Sequence, residues 1–128
     1  MEKEIKRLPD LELEAMLVIW QSKDTLHTGE IHQRLAGNKK RPIQAIQTVL
    51  SRLEQKGFVR REKIGRLNYF YPLIMQEIYR TQETASFLEK LYGNSPARLV
   101  AALVQSESIS AEDLAEIRSI LERGDVKA

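Results

Sequence analysis

At 128 residues, with 42% hydrophobic and 30% charged side chains, the chain can bury the core of one compact domain or of a small domain with a second element attached. It contains no cysteine, which excludes disulfides, thiolate metal sites and a cysteine nucleophile together. The net charge of +2 hides an asymmetry, because residues 1–72 hold 14 Lys and Arg against 9 Asp and Glu while residues 73–128 hold 6 against 9, so that only the front half is suited to a polyanion.

The segment LPDLELEAMLVIW sets Leu13, Met16, Leu17 and Trp20 at the i, i+3, i+4, i+7 spacing of an amphipathic helix running from about Pro9 to Ser22. Asp10, Glu12 and Glu14 fall near its start, where the helix dipole favours negative charge. Thr28 reads as the N-cap of a short second helix, with Glu30 in the following turn, Ile31 and Leu35 inward, and Gly37 and Asn38 at its end. Pro42 suits the first turn of a third helix and Gly57 its stop. Ile43, Ile46, Leu50 and Leu53 form its apolar stripe, with Val49 at the edge. The opposite face offers Gln44, Ala45, Gln47, Thr48, Ser51, Arg52 and Gln55, polar yet almost free of acids. A solvated helix face ordinarily mixes Glu with Lys, so this one stands apart.

After Gly57 the runs FVRREKI and LNYFYP flank Gly65-Arg66 and read as a hairpin, with Phe58, Tyr69 and Tyr71 packed on one side and Pro72 closing it. Three helices and a hairpin in this order make a winged helix-turn-helix domain over residues 1–72. Residues 73–128 read as a helical dimerisation domain. One helix spans Met75 to Tyr92 with Ala85, Leu88, Leu91 and Tyr92 at helical spacing. A second begins near Pro96 and carries Leu99, Val100, Leu103 and Val104. A third is capped by Ser110 with Asp113 three residues on, carries Leu114, Ile117, Ile120 and Leu121, and stops at Gly124. Three short helices with apolar stripes gain most by packing on a copy of themselves, and two-fold dimers are the commonest oligomers. The fold class is therefore mainly α with a small β-hairpin.

A helix that reads duplex DNA presents short hydrogen-bonding side chains to base edges and cations to phosphates. Gln44 and Gln47 lie near the N-terminal end of the third helix; Gln can pair with adenine, and Thr48 can offer a methyl to thymine. Lys39, Lys40 and Arg41 precede this helix, and Arg52 and Lys56 follow its reading end, as candidate phosphate contacts. Arg60, Arg61, Lys63 and Arg66 cluster on the hairpin, where a wing would lie against the backbone or a minor groove. Each cation alone is an ordinary surface charge; the conjunction of helix order, acid-poor face and basic hairpin points to DNA. A winged helix docking an acidic protein partner, and a nonspecific architectural DNA binder, are the alternatives.

His27 and His32, five residues apart, fall on different helix faces and read as surface histidines rather than a metal pair. The carboxylate pairs Glu12 with Glu14 and Glu112 with Asp113 read as helix N-terminal charge rather than acid/base catalysts. With no glycine-rich phosphate loop or nucleophile elbow, neither enzyme activity nor a cofactor is expected. Met1-Glu2-Lys3-Glu4 opens without a long apolar run behind it, and no stretch approaches the roughly 20 apolar residues of a membrane span, so a cytoplasmic protein without membrane insertion is expected.

The runs LELEAMLVIW, IQTVLSRLEQKGFVRREKIGRLNYFYP, SFLEKLYG and ISAEDLAEIRSILE, in this order along nearly the whole chain, resemble the penicillinase-repressor (BlaI/MecI-like) family. The resemblance implies a winged helix domain, a helical dimerisation domain and repression from dyad-symmetric operators, often of β-lactam-resistance genes. It places the recognition helix on Pro42 to Lys56, with reading positions at Gln44, Ala45, Gln47, Thr48 and Arg52, and a wing motif at Gly65, Arg66 and Tyr71. Pro9 stands where relatives often have a Ser cap. In antibiotic-responsive members a membrane sensor protease signals and the repressor is cut at an Asn-Phe bond. Here the matching pair is Ala102-Leu103, so a cut at that bond is not expected, while the resemblance still implies a membrane sensor protease as a candidate partner. Without cysteine, the thiolate switch of the copper-responsive branch is excluded too.

Overall fold

The computed structural model describes residues 5–36 and 41–124. Their elements are α1 (Asp10–Gln21), β1 (Leu26–His27), α2 (Thr28–Ala36), α3 (Ile43–Gln55), β2 (Val59–Ile64), β3 (Leu67–Pro72), α4 (Gln76–Tyr92), α5 (Pro96–Gln105) and α6 (Ala111–Glu122). The mainly helical class with a small sheet matches the expectation from sequence. Gly37 and Asn38, proposed as the stop of the second helix, lie outside the described residues.

Helix α1 buries Glu12, Ala15, Met16 and Ile19, whereas Leu13 and Trp20 are only partly buried against the core. The stripe drawn from sequence is thus rotated. Apolar residues run unbroken from Ala15 to Trp20, so two stripes fit the sequence, and packing on α2 and α3 selects between them. Pro9 precedes α1 without a side-chain cap. In α2 the cap is His27, not Thr28. The His27 backbone N–H donates to Glu30 Oε1 (3.1 Å), and the Glu30 N–H donates to His27 Nδ1 (3.4 Å). This is the reciprocal arrangement of a capping box built on an imidazole, a residue type that cap preferences do not single out.

The sheet has three antiparallel strands in the order β1-β3-β2. Its edge strand β1 pairs Leu26 with Phe70 and His27 with Tyr69; two residues carry no readable alternation, and the sequence offers no sign of it. The hairpin register runs from Val59↔Pro72 to Ile64↔Leu67 across Gly65-Arg66. Gly65 stands at φ +63°, a conformation glycine takes without steric cost. Phe58, Val59 and Phe70 are buried, while Tyr69 and Tyr71 are half-buried. The expected grouping of Phe58 with both tyrosines fails because strand residues alternate, so the side chains flanking Phe70 must face away from it.

Helix α3 closes the core with Ile46, Val49, Leu50 and Leu53. Val49 is fully part of that face. Ile43, expected on the stripe, is 38% exposed because it stands in the opening turn beside exposed Pro42. Around this layer Trp20 Nε1 donates to the Ile74 carbonyl (2.8 Å), tying the hairpin's exit to α1. Tyr79 of α4 is buried beside Phe58 and Trp20, with ring centroids at 5.6 and 5.8 Å, and its hydroxyl accepts the Leu8 N–H (2.9 Å). The Gln82 amide donates to the Ile5 carbonyl.

These contacts make the start of α4 part of the front unit. The chain divides into Met1–Glu83 and Thr84–Ala128, inside α4, whereas the change of pattern at residue 72 marks only the end of the hairpin. Burial raises the Tyr79 phenol above its ordinary value of 10.0, against the lowering effect of the Leu8 N–H. The stability that the neutral phenol confers is therefore complete below pH 10.0 and declines as pH rises through the raised value. Tyr79→Phe is expected to lose about 1 kcal/mol in urea unfolding, because Leu8 N–H is left without a partner, and to lose that part of the alkaline decline.

In the second unit Ser95 caps α5 by accepting the Arg98 N–H (3.2 Å), and Pro96 occupies its first turn. Ser110 and Asp113 form the capping box of α6, with both bonds near 3 Å (3.0 and 2.9 Å). The Ser110 N–H, and then its hydroxyl, hold the Asp113 carboxyl below the usual carboxylate range. Among the described residues after Tyr79, no side chain is buried.

Candidate nucleic-acid interface

The outward face of α3 is open. Gln44, Gln47, Thr48, Ser51, Arg52 and Gln55 line one shallow concavity of about 410 Å³. Ala45, half-buried at the flank, does not line it. The Thr48 hydroxyl donates to the Gln44 carbonyl (3.0 Å), so its hydrogen is used within the helix and the methyl remains as a contact group. No acid lines the concavity, and Glu54, the acidic residue of α3, is drawn to Arg61 on β2.

The structure sorts the nine candidate cations by the partners they hold. Lys39 and Lys40 lie outside the described residues. Lys56 donates to Glu12 Oε1 (2.5 Å), and Glu12 is only 3% exposed, so this ammonium is engaged by a buried carboxylate. Arg41 pairs with Glu14 (3.1 Å). Arg61 lies over the Phe70 ring at 5.2 Å and donates from Nη2 to Ser51 Oγ (3.2 Å). Its Nε stands 3.3 Å from the Glu54 carboxylate but out of line for a hydrogen bond. Arg60 covers the Tyr71 ring at 4.3 Å and pairs with Glu62 (3.1 Å). Arg52, Lys63 and Arg66 are exposed and form no ion pair with another described residue.

Four positioning residues escaped the sequence reading. Glu12 and Glu14, read there as helix-dipole charge, reach from α1 to the two ends of α3: Glu12 to Lys56 after its last turn, and Glu14 to Arg41 before its first. Residues two apart on a helix point in nearly opposite directions, which suits two carboxylates holding separate points of one neighbouring helix. His32 Nε2 lies 2.6 Å from the Arg41 carbonyl and therefore carries the hydrogen, fixing the entry to α3. Tyr79 anchors the N-terminal segment. One sign was readable: Glu12 falls on the stripe of Met16 and Ile19, and a carboxylate on a buried stripe requires a cation. Both histidines are thus engaged within the fold, and no group of three metal-ligating side chains occurs among the described residues.

A family model described as "Penicillinase repressor" matches residues 8–123. The chain is 32% identical over 120 residues to the "Penicillinase repressor" of Bacillus licheniformis, covering 94% of this chain and 93% of that protein. It is 26% identical over 123 residues to the "Methicillin resistance regulatory protein MecI" of Staphylococcus aureus (strain N315), covering 96% and 99%. Its fold is similar to the solution structure of the DNA binding domain of the repressor BlaI, with a TM-score of 0.52 and 35% identity over 59% of this chain and 90% of that one.

Proposed function

The chain belongs to the penicillinase repressor family, and from that premise we propose that it is a transcriptional repressor that binds a two-fold-symmetric DNA operator as a homodimer. The observation that carries this reading is the exposed, acid-free concavity of α3. Gln44, Gln47 and Thr48 read base edges from the major groove, where one good bidentate contact discriminates by roughly 1–3 kcal/mol. Arg52, Lys63 and Arg66, free of internal ion pairs among the described residues, meet phosphates, and Lys39 and Lys40 join them from the segment ahead of α3. Arg41, Lys56 and Arg61 act one step back, by holding α3 in place. No catalytic step is proposed for a member of a repressor family.

The dimer is inferred from the second unit, where Leu88, Tyr92 and Leu99 are half-covered and Leu91, Val100 and Leu103 are exposed, with Val104, Leu114, Ile117 and Leu121 exposed beside them. Helices this short gain little without tertiary packing, and a second copy supplies it. Two recognition helices then meet half-sites one DNA turn or a multiple apart. Repression follows from occupying the promoter, and release from separating the copies. Because Ala102-Leu103 replaces the Asn-Phe pair, a sensor protease acting at that bond is not part of the proposal.

Selection of duplexes from a random pool, followed by gel-shift titration against competitor DNA, tests the reading. Enrichment of palindromic sites supports it. Failure to enrich any duplex rejects it and favours a winged helix that docks an acidic protein. Gln47→Ala is expected to relax base preference at one position of each half-site. Arg66→Ala should weaken all duplexes alike and lower the slope of log K against log salt by about one.

A further inference from the structure

Beyond its cations, the tip of the hairpin carries two aliphatic side chains left about half exposed among the described residues. Ile64 and Leu67 are the cross-strand partners that flank the Gly65-Arg66 turn, and they are 51% and 43% exposed. Directly opposed residues of an antiparallel pair share one face of the ribbon. By the same register, Arg60 with Tyr71 and Glu62 with Tyr69 lie on that face. Both tyrosines there have cover: Arg60 lies over Tyr71 at 4.3 Å, and the His27 ring meets Tyr69 edge-on at 5.5 Å. The apolar pair at the tip has no such aromatic or cationic partner among the described residues and stays about half exposed. The neighbouring cations differ in the same way, since Arg60 and Arg61 are held by Glu62 and Glu54 whereas Lys63 and Arg66 pair with no described residue.

We propose that Ile64 and Leu67 form a deoxyribose-contacting patch, pressed against the sugar wall of the DNA minor groove between phosphates met by Lys63 and Arg66. The inference rests on the DNA-binding reading above and adds its occupant at the wing tip. On the rim of a duplex groove the phosphates are charged and the base edges are polar, and the sugar C–H groups between them are apolar. A narrow tip with an aliphatic pair flanked by cations complements that alternation. Removal of apolar area from water is not a counterion effect, so this contact adds affinity that salt does not screen, in contrast to the phosphate contacts.

The test uses the full-length protein and the duplex that it enriches from a random pool. Ile64→Thr combined with Leu67→Thr keeps strand-compatible backbones and removes apolar surface. The variant is expected to bind roughly tenfold more weakly, as the loss of a small apolar contact requires, with an unchanged salt slope and with loss of hydroxyl-radical protection of the sugars at the wing's footprint. Ile64→Val combined with Leu67→Val, which stays apolar, should bind within about threefold of the parent. Parental affinity and parental sugar protection in the threonine variant would overturn the proposal. So would a loss of affinity in which the salt slope falls as it does for Arg66→Ala, because charge would then be the contact. A changed sedimentation coefficient with intact DNA affinity would assign the pair to a second copy of the chain, which also overturns it. If the parent enriches no duplex, the repressor reading itself has failed; if the parent binds and the threonine variant matches it, only the wing patch has.

Discussion

Val104→Asp combined with Leu121→Asp is expected to leave the protein monomeric and to weaken binding to a symmetric operator by a hundredfold or more, the scale on which two linked contacts exceed one. Val104 on α5 and Leu121 on α6 are 54% and 56% exposed within a single chain, so neither substitution removes a packing contact that the described chain makes for its own core. The cost falls on association: a charge placed in an apolar interface must be desolvated without a partner. The front unit, whose core residues all lie between Leu8 and Tyr79, should keep its own unfolding transition. Binding to an isolated half-site should also persist, at the weak affinity of one recognition helix. Sedimentation and half-site titrations read both effects. A variant that still sediments as a dimer would place the interface elsewhere, and a monomeric variant with undiminished operator affinity would separate DNA binding from dimerisation altogether.

The second large effect concerns the pair that joins α1 to the end of α3. Lys56→Met strands the Glu12 carboxylate at 3% exposure, with its ion-pair partner gone. Breaking a buried pair on one side costs about 3–5 kcal/mol, a large part of the 5–15 kcal/mol that holds a typical domain together. Because Lys56 itself is about a quarter exposed, at 23%, water will meet part of that loss, and the lower end of the range is expected. Glu12→Leu combined with Lys56→Met removes both charges and should recover most of the stability, since apolar pairs of similar volume often replace buried ion pairs at little cost. Urea unfolding of the two single variants and the double completes the cycle. Additive losses would show that the two side chains do not act as a pair. If the double variant regains stability yet binds its selected duplex less well than the parent, the pair also fixes how α3 is presented to DNA.

The roles of these residues were unequally legible. Gln44, Gln47, Thr48 and Arg52 could be read as one outward face because a helix of known start and stop, Pro42 and Gly57, has a known period. Their arrangement around one concavity follows from that period alone. The cations could not be ranked in this way. Lys56 and Lys63 are the same residue type, yet Lys56 is held by a carboxylate 44 residues away and Lys63 forms no ion pair with another described residue. Arg61 next to Arg60 is a similar case: alternation sends one guanidinium over Phe70 toward α3 and the other over Tyr71.

Local chemistry therefore determined the helices α3, α5 and α6, the hairpin turn at Gly65-Arg66, the cap at Ser110, and the acid-poor face of α3, because each depends on residues within one or two turns of one another. The tertiary structure alone decided which face of α1 turns inward, that two residues at Leu26–His27 become a strand, that Tyr79 binds the start of α4 to the front unit, and which cations remain free for a partner. The reason is common to all four. Each is a choice among locally equivalent arrangements, and the energy that selects one comes from burial and charge pairing between segments far apart in the chain.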